Sequence, residues 1–450
     1  MQNPAIDAAP AATGITATDH RNVLGSLLFI GLFLFFWISI SPFFDLTLPS
    51  SASINTDNSS RLNQILFLFL PVGCALCAMM TPMRGTLMQP LWLLVVIGLW
   101  LVFVSLVSNH SFNSLKALFL TYLVMLGANA CLILPRSEEH FGKLLAIGTL
   151  ACLGLCYYGI RFLPALSIHS AMEVAEPMHA GLWRGYFPHK NNAAAAMVLI
   201  AFCGIFVMST WSRLVGVVII AAATWFLMHT GGKTASAMLP GIIILAFIFE
   251  RFAWLRIPIA VGGVAAFNLL AIGSALSPTL ASIVKSIGID PTFTNRADIW
   301  RLASNAIAEF PLTGFGLKSF WRTQELVYGG DAIETWAIQA SHAHNSYVEI
   351  VLIGGFPALL LSLILIFVVP LRNFAKLSAQ GNTSHATRLF LRVWLYLIFS
   401  ACLESVFYES SSGYILSWFM FTMAIFGMQY EANASKIGNG KPVARGTANG

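Results

Sequence analysis

The chain has 450 residues, 57% of them hydrophobic and only 10% charged, with a mean hydropathy of +0.76 and a formal charge of +6. Soluble domains carry about a quarter charged residues, so this composition excludes an ordinary water-soluble enzyme and points to a polytopic membrane protein. Apolar runs of about 20 residues recur along the chain, long enough to cross a bilayer as α-helices, and they lack the alternation of an outer-membrane barrel.

Residues 1–22 are polar and rich in Ala and Thr, without the basic start of a secretory signal, and are expected to form a cytoplasmic tail. Apolar windows follow at roughly 23–43, 62–80, 89–107, 115–134, 143–163, 193–210, 213–229, 235–250 and 257–280. They predict nine transmembrane helices over 23–280, with a smaller outer loop near 164–192. A large loop, 281–345, precedes three further windows at roughly 346–370, 388–407 and 413–429, all within 346–429. Residues 430–450 form the C-terminal tail. The expected fold is all-α, with about 12 transmembrane helices and the large loop between helices 9 and 10.

All seven cysteines lie inside apolar runs. Cys74 and Cys77 form a C-x-x-C, but no second pair accompanies it, so these are read as small packing residues.

Basic residues orient the chain. Arg84, Arg136, Lys143, Arg213, Arg251, Arg256, Arg372, Lys376 and Arg388 lie in connections on one side, joined by Lys436, Lys441 and Arg445 of the tail. The connections "SNHSFNS" and "YESSS" on the other side are nearly free of them. The positive-inside rule then predicts both termini in the cytoplasm and the two long loops outside. Much of the net charge follows from this topology, so no nucleic-acid partner is expected.

The outer loops carry the polar chemistry. "GLWRGYFPHKNNAAAA" brings Arg184, His189, Lys190, Asn191 and Asn192 to the start of the sixth window. "HTGGKTASAM" holds Lys233, but its GGKT lacks the first glycine of a phosphate-binding loop, where Leu227 stands, and no strand precedes it. In "FTNRADIWRLASNAIAEFPLTGFGLKSFW", Ile299, Leu302, Ala306 and Phe310 recur at helical spacing, predicting an amphipathic helix over Asp298 to Phe310. Pro311 and the TGFG turn end it, and Ser319 replaces the third glycine of a dinucleotide motif. Arg184, Lys190, Lys233 and Arg296 are read as anion-binding, since Arg offers a fork and Lys a point charge to phosphate oxygens. Arg301, Lys318 and Arg322 are read as snorkelling or solvated.

"SHAHN" closes the large loop with His342 and His344, which share a face on extended backbone. As zinc ligands they have no third partner set by spacing, although His169, His179 or His189 could supply one in space. As a general base, one neutral imidazole is enough. Asn345 orients a histidine or the substrate, or caps the following helix together with Ser346. No metal and no cofactor is expected.

"HAHNSYVEIVLIGGFPALLL" resembles the hallmark of the O-antigen ligase and polymerase superfamily of bacterial membrane proteins. The segment from Asn295 to Trp321 resembles the loop that precedes it there, and "GYFPHKNNAAAA" and "GGKTASAM" are similar to two earlier elements. The resemblance covers roughly residues 180 to 370. It implies a metal-independent glycosyltransferase acting on the periplasmic face of the inner membrane in cell-surface polysaccharide biosynthesis. Its donor would be a glycan on undecaprenyl diphosphate. Its acceptor would be a glycan or lipid-linked glycan, with membrane lipid and other polysaccharide assembly proteins as further partners. Members are similar to either polymerases or ligases to lipid A core or protein; the HKN and GGKT forms lean towards exopolysaccharide polymerases. Many members have Arg where Lys233 stands, so bidentate geometry is lost at that position.

The implied chemistry is inverting. His344, in preference to His342, takes the acceptor proton, and Arg184, Lys190, Lys233 and Arg296 neutralise the departing diphosphate. His189, Asn191, Asn345 and Trp300 position substrate, with Trp300, Phe320 and Trp321 stacking on sugars or anchoring at the interface. A transporter or flippase of lipid-linked glycans is the rival class. It predicts charges deep within spans and repeat symmetry between halves, whereas here the charges cluster at one face.

Overall fold

In the computed structural model the described residues are 17–47, 61–174, 176–293, 296–328, 336–381, 383–410 and 413–438. Most of the expected N-terminal tail, residues 1–16, and residues 439–450 with Lys441 and Arg445 lie outside them. Helices account for the architecture: α1 (Ala17–Ile38), α2 (Arg61–Met79), α3 (Leu91–Val107), α4 (Ser111–Ile133), α5 (Glu138–Phe162), α6 (Lys190–Thr210), α7 (Arg213–His229) and α8 (Lys233–Arg251). There follow α9 (Val264–Leu276), α10 (Pro278–Ser286), α11 (Arg296–Glu309), α12 (Gln324–Tyr328), α13 (Ser346–Leu363), α14 (Val369–Ala379), α15 (His385–Ser400) and α16 (Ile415–Gly438). Among the described residues there is no strand beyond one isolated bridge between Ile168 and Trp183.

Among the described residues, seven helical segments are long and apolar enough to cross a membrane, and three shorter apolar ones accompany them. The chain is an integral membrane protein. Every apolar window of the sequence contains a helix, because in lipid a run of apolar side chains leaves the backbone no partner but itself. The expected amphipathic helix is α11, with Ile299, Ala303 and Ala306 buried and Arg301 and Asn305 turned out.

The most buried of the candidate spans is α6, whose small first-turn residues allow close packing: a Cβ on Gly232 would meet that of Ala194. Beside it, α15 and α16 are buried along nearly their whole length. At one end of the bundle, Arg388 pairs with Glu250 at 3.1 Å, Arg256 donates to Ser378, and the Ala386 amide donates to Glu138. The basic connections expected inside meet at this end.

The window expected at 346–370 is not one straight helix. Its backbone breaks at Gly354 and Gly355, the latter at φ +68°. The TGFG turn fills the break. Phe315 and Gly316 amides donate to the carbonyls of Leu352 and Ile353, the Phe356 amide donates to Pro311, and the Trp100 indole donates to Gly354. Irregular backbone at this depth is tolerable because the loop restores every one of these bonds. A Cβ on Gly355 would strike the Leu312 carbonyl, and one on Gly314 the Leu352 carbonyl, so glycine is required twice in one contact. The large loop is thereby anchored to the span that follows it.

Candidate functional site

At the other end of the bundle, the starts of α6 and α13 meet the loops 164–189, 287–345 and 401–414. Asn345 is the N-cap of α13: its side-chain oxygen accepts from the amides of Tyr347 and Val348, and its NH2 donates to Asn268 and to the Cys402 carbonyl. Ser346 extends the tie, donating to the Glu404 carbonyl and accepting from the Val406 amide. The loop after α15 is thus laced to the end of the histidine loop. That lacing brings Glu404, which the sequence reading did not single out, beneath the histidines.

The central geometry is a chain of three polar groups. Arg296 donates to one Glu404 oxygen at 2.6 Å, and the other lies 3.3 Å from Nδ1 of His344. Burial alone would raise the Glu404 pKa, but Arg296 first, and then His344, hold it well below the ordinary carboxylate range. A carboxylate on Nδ1 leaves Nε2 of His344 as the ring's basic atom. His342 is arranged differently. Its Nδ1 accepts from the His344 amide at 3.2 Å, and its ring, almost fully buried, packs edge-on against Tyr414 at 4.6 Å. Burial, reinforced by His344, keeps its pKa well below the ordinary value, so it is neutral.

The Ala343 peptide between the two histidines is clamped on both sides. Its amide donates to Glu349 at 2.7 Å and its carbonyl accepts from the Trp300 indole at 3.0 Å. The Trp321 indole also donates to Glu349. These bonds hold His344 in left-handed backbone, φ +49°, a conformation that is uncommon outside glycine and persists only when neighbours enforce it. Trp300 is wholly buried, with its ring against Phe293, so it supports the loop from below and does not offer a face to a sugar. Trp321 is likewise buried.

Lys190 opens α6, buried among these loops and within electrostatic reach of Glu176, Glu404 and Arg296. Asn192 ties the same turn to the 401–414 loop through the Gly413 carbonyl, and Asn191 accepts from the Lys190 ammonium at 3.5 Å. Lys318 pairs with Glu409 at 2.8 Å.

Arg184 departs from the anion-binding expectation. Its guanidinium is fully buried and donates to the carbonyls of Phe187 and Phe44, so it clamps the 164–189 loop to the chain after α1. Lys233 is exposed at the start of α8, in a turn held beside that loop by Trp183, whose ring stacks on His229 at 4.1 Å and whose amide donates to the His229 carbonyl. Among the described residues no hydrogen bond or ion pair joins Lys233 to Arg296 or Glu404.

Two histidines cap α6. Nδ1 of His189 accepts from the Asn191 amide at 3.1 Å while Nε2 donates to Glu176 at 2.6 Å. His169 mirrors it, with Nε2 accepting from the Lys190 amide and Nδ1 donating to Glu173 at 2.7 Å. The bond from His189 holds the Glu176 carboxyl down at about 2, so it is ionised. His189 thus caps the helix start and places Lys190.

Residues 196–363, from α6 to α13, match the family model described as O-Antigen ligase. That stretch contains Lys233, Arg296, Trp300, His342, His344 and Asn345 and ends before Glu404. A protein of Rickettsia conorii whose name proposes it as a polysaccharide ligase is 26% identical over 208 residues. The match covers 42% of this chain and 47% of that protein, so the chain spans about half the length of the relative. Over residues 196–363, well under half of its length, this integral membrane protein is similar to the O-Antigen ligase family.

Proposed function

We propose that the protein transfers a glycan from undecaprenyl diphosphate to a sugar hydroxyl on the periplasmic face of the inner membrane, as a polymerase of cell-surface polysaccharide. The observation that carries this reading is the chain Arg296–Glu404–His344, with Nδ1 of the histidine on a carboxylate that is itself fixed by an arginine. Glu404 orients the ring and stabilises the cation that forms when Nε2 accepts the hydroxyl proton. His344 is preferred to His342 because Nδ1 of His342 already serves the His344 amide, which leaves a proton on its Nε2. The freed oxygen attacks the anomeric carbon, the bond to the diphosphate breaks on the opposite face, and the configuration inverts.

Lys190, with Arg296 beyond its bond to Glu404, supplies cationic charge to the leaving diphosphate, and Lys233 meets it from the neighbouring turn. Arg184 contributes by fixing the loop that carries Lys190. Supporting the membrane orientation is the gathering of Arg136, Arg251, Arg256, Arg372 and Arg388 at the end away from the site, which the positive-inside rule puts in the cytoplasm. With that orientation, twelve crossings, both termini cytoplasmic and the 281–345 segment periplasmic between the ninth and tenth follow.

The test is transfer by purified protein in lipid, supplied with an undecaprenyl-diphosphate glycan. A ladder of products is the expected result. A single transfer to lipid A core would make it a ligase, and donor movement across the bilayer without product would make it a flippase.

A further inference from the structure

Glu176, His179 and His189 bring one ligand atom each to within 4.8 Å of one another, the group of three among the described residues that does so. Nε2 of His189 is 2.6 Å from a Glu176 oxygen, and Nε2 of His179 is 3.5 Å from the same oxygen. Three donors this close need only modest side-chain shifts to sit about 2 Å from one ion, the distance at which Zn²⁺ binds imidazole and carboxylate. All three are half-buried in the 164–189 loop and the cap of α6, where a small ion has access and little of the site needs to move.

We propose that these three residues form a divalent-cation site, selective for zinc or a similar borderline metal, beside the start of α6. Two imidazoles and one carboxylate match zinc, whereas magnesium and calcium take oxygen ligands. The short bond from His189 to Glu176 is the metal-free state, with a proton where the ion would lie. On binding, the metal takes the Nε2 lone pair of His189, the remaining ring proton moves to Nδ1, and the cap bond from the Asn191 amide is given up. One neutral cap is a weaker interaction than a metal–imidazole bond, so the exchange favours the ion. His169 stays outside the coordination sphere. Its ring centre is 5.3 Å from that of His189 and 5.8 Å from that of His179, and both its nitrogens are engaged by Glu173 and the Lys190 amide. Lys190 is the nearby cation that opposes the metal's charge, offset by ionised Glu176 and by Glu173 behind His169. Three protein ligands leave the fourth position to water or an anionic oxygen.

The site is tested without the transfer reaction. Full-length protein in detergent, freed of any affinity tag and stripped with chelator, is titrated with zinc against a competing chromophoric chelator, with magnesium as control. Wild-type protein is expected to take up one equivalent of zinc at micromolar concentration or below and no magnesium. H179A and E176Q are each expected to weaken binding tenfold or more. Zinc-edge X-ray absorption should show nitrogen and oxygen neighbours only. Among the described residues, the His179 side chain makes no hydrogen bond or ion pair except the one with Glu176, so H179A should unfold at the wild-type temperature without metal. Zinc should then raise the midpoint of wild type and not of H179A. Equal zinc affinity in wild type and H179A, or sulfur in the first shell, overturns the proposal.

Discussion

At the level of single residues, Glu404 decides how the histidines are read. It lies within "FSACLESVFY", inside a window whose hydropathy predicts a span to about residue 407, whereas α15 ends at Ser400. An ionisable residue inside an apparent span is costly there and commonly functional, and that was the signal available in the sequence. His344, Arg296 and Lys190 are candidates that motif and spacing single out in the sequence. The role of Arg184 is not legible there, because only the folded chain shows its guanidinium meeting two carbonyls. Replacing Glu404 with Gln leaves the shape but removes the charge between Arg296 and His344. Transfer is expected to fall about 100-fold or more, with donor binding retained. An unchanged rate would remove Glu404 from the mechanism. His342 predicts a pH effect on stability. Its folded pKa is depressed below the ordinary 6.5, first by burial. Its contribution is therefore complete above that value and is lost as pH falls below it. The unfolding midpoint in detergent should drop between roughly pH 7 and 5, and less steeply in H342Q.

Elements follow the sequence more closely, since apolar length dictates helix wherever lipid removes other hydrogen-bond partners. The amphipathic helix was readable from Ile299, Leu302 and Ala306 for the same reason. The break in α13 was not, because "LIGGFPALLL" is continuous by hydropathy and the reason for the break lies about 40 residues earlier, in the TGFG turn. This interlock predicts that G355A is destabilised by roughly 2 kcal/mol or more, since positive φ and the Leu312 carbonyl both oppose a Cβ. A thermal midpoint equal to wild type would show that the turn yields freely. W300F keeps the ring but loses the indole bond to Ala343. It should lower kcat by more than it changes donor affinity, because the His344 backbone loses one side of its clamp.

The whole molecule divides its charge by end. Arg388, Glu250, Arg256 and Glu138 lace one end, and the histidine loops close the other. Single cysteines placed at Ser170 and at Thr383, in a background without the native seven, test the orientation in intact cells. Position 170 should react with a membrane-impermeant thiol reagent and 383 should not; the reverse pattern would invert the topology. The central claim is that His344 takes the acceptor proton. Its most direct test is the initial rate of glycan transfer by H344A and wild-type protein in the same lipid, with donor binding measured in parallel. Transfer reduced about 1,000-fold at unchanged donor affinity is the predicted result. A variant that transfers glycan at the wild-type rate would contradict it.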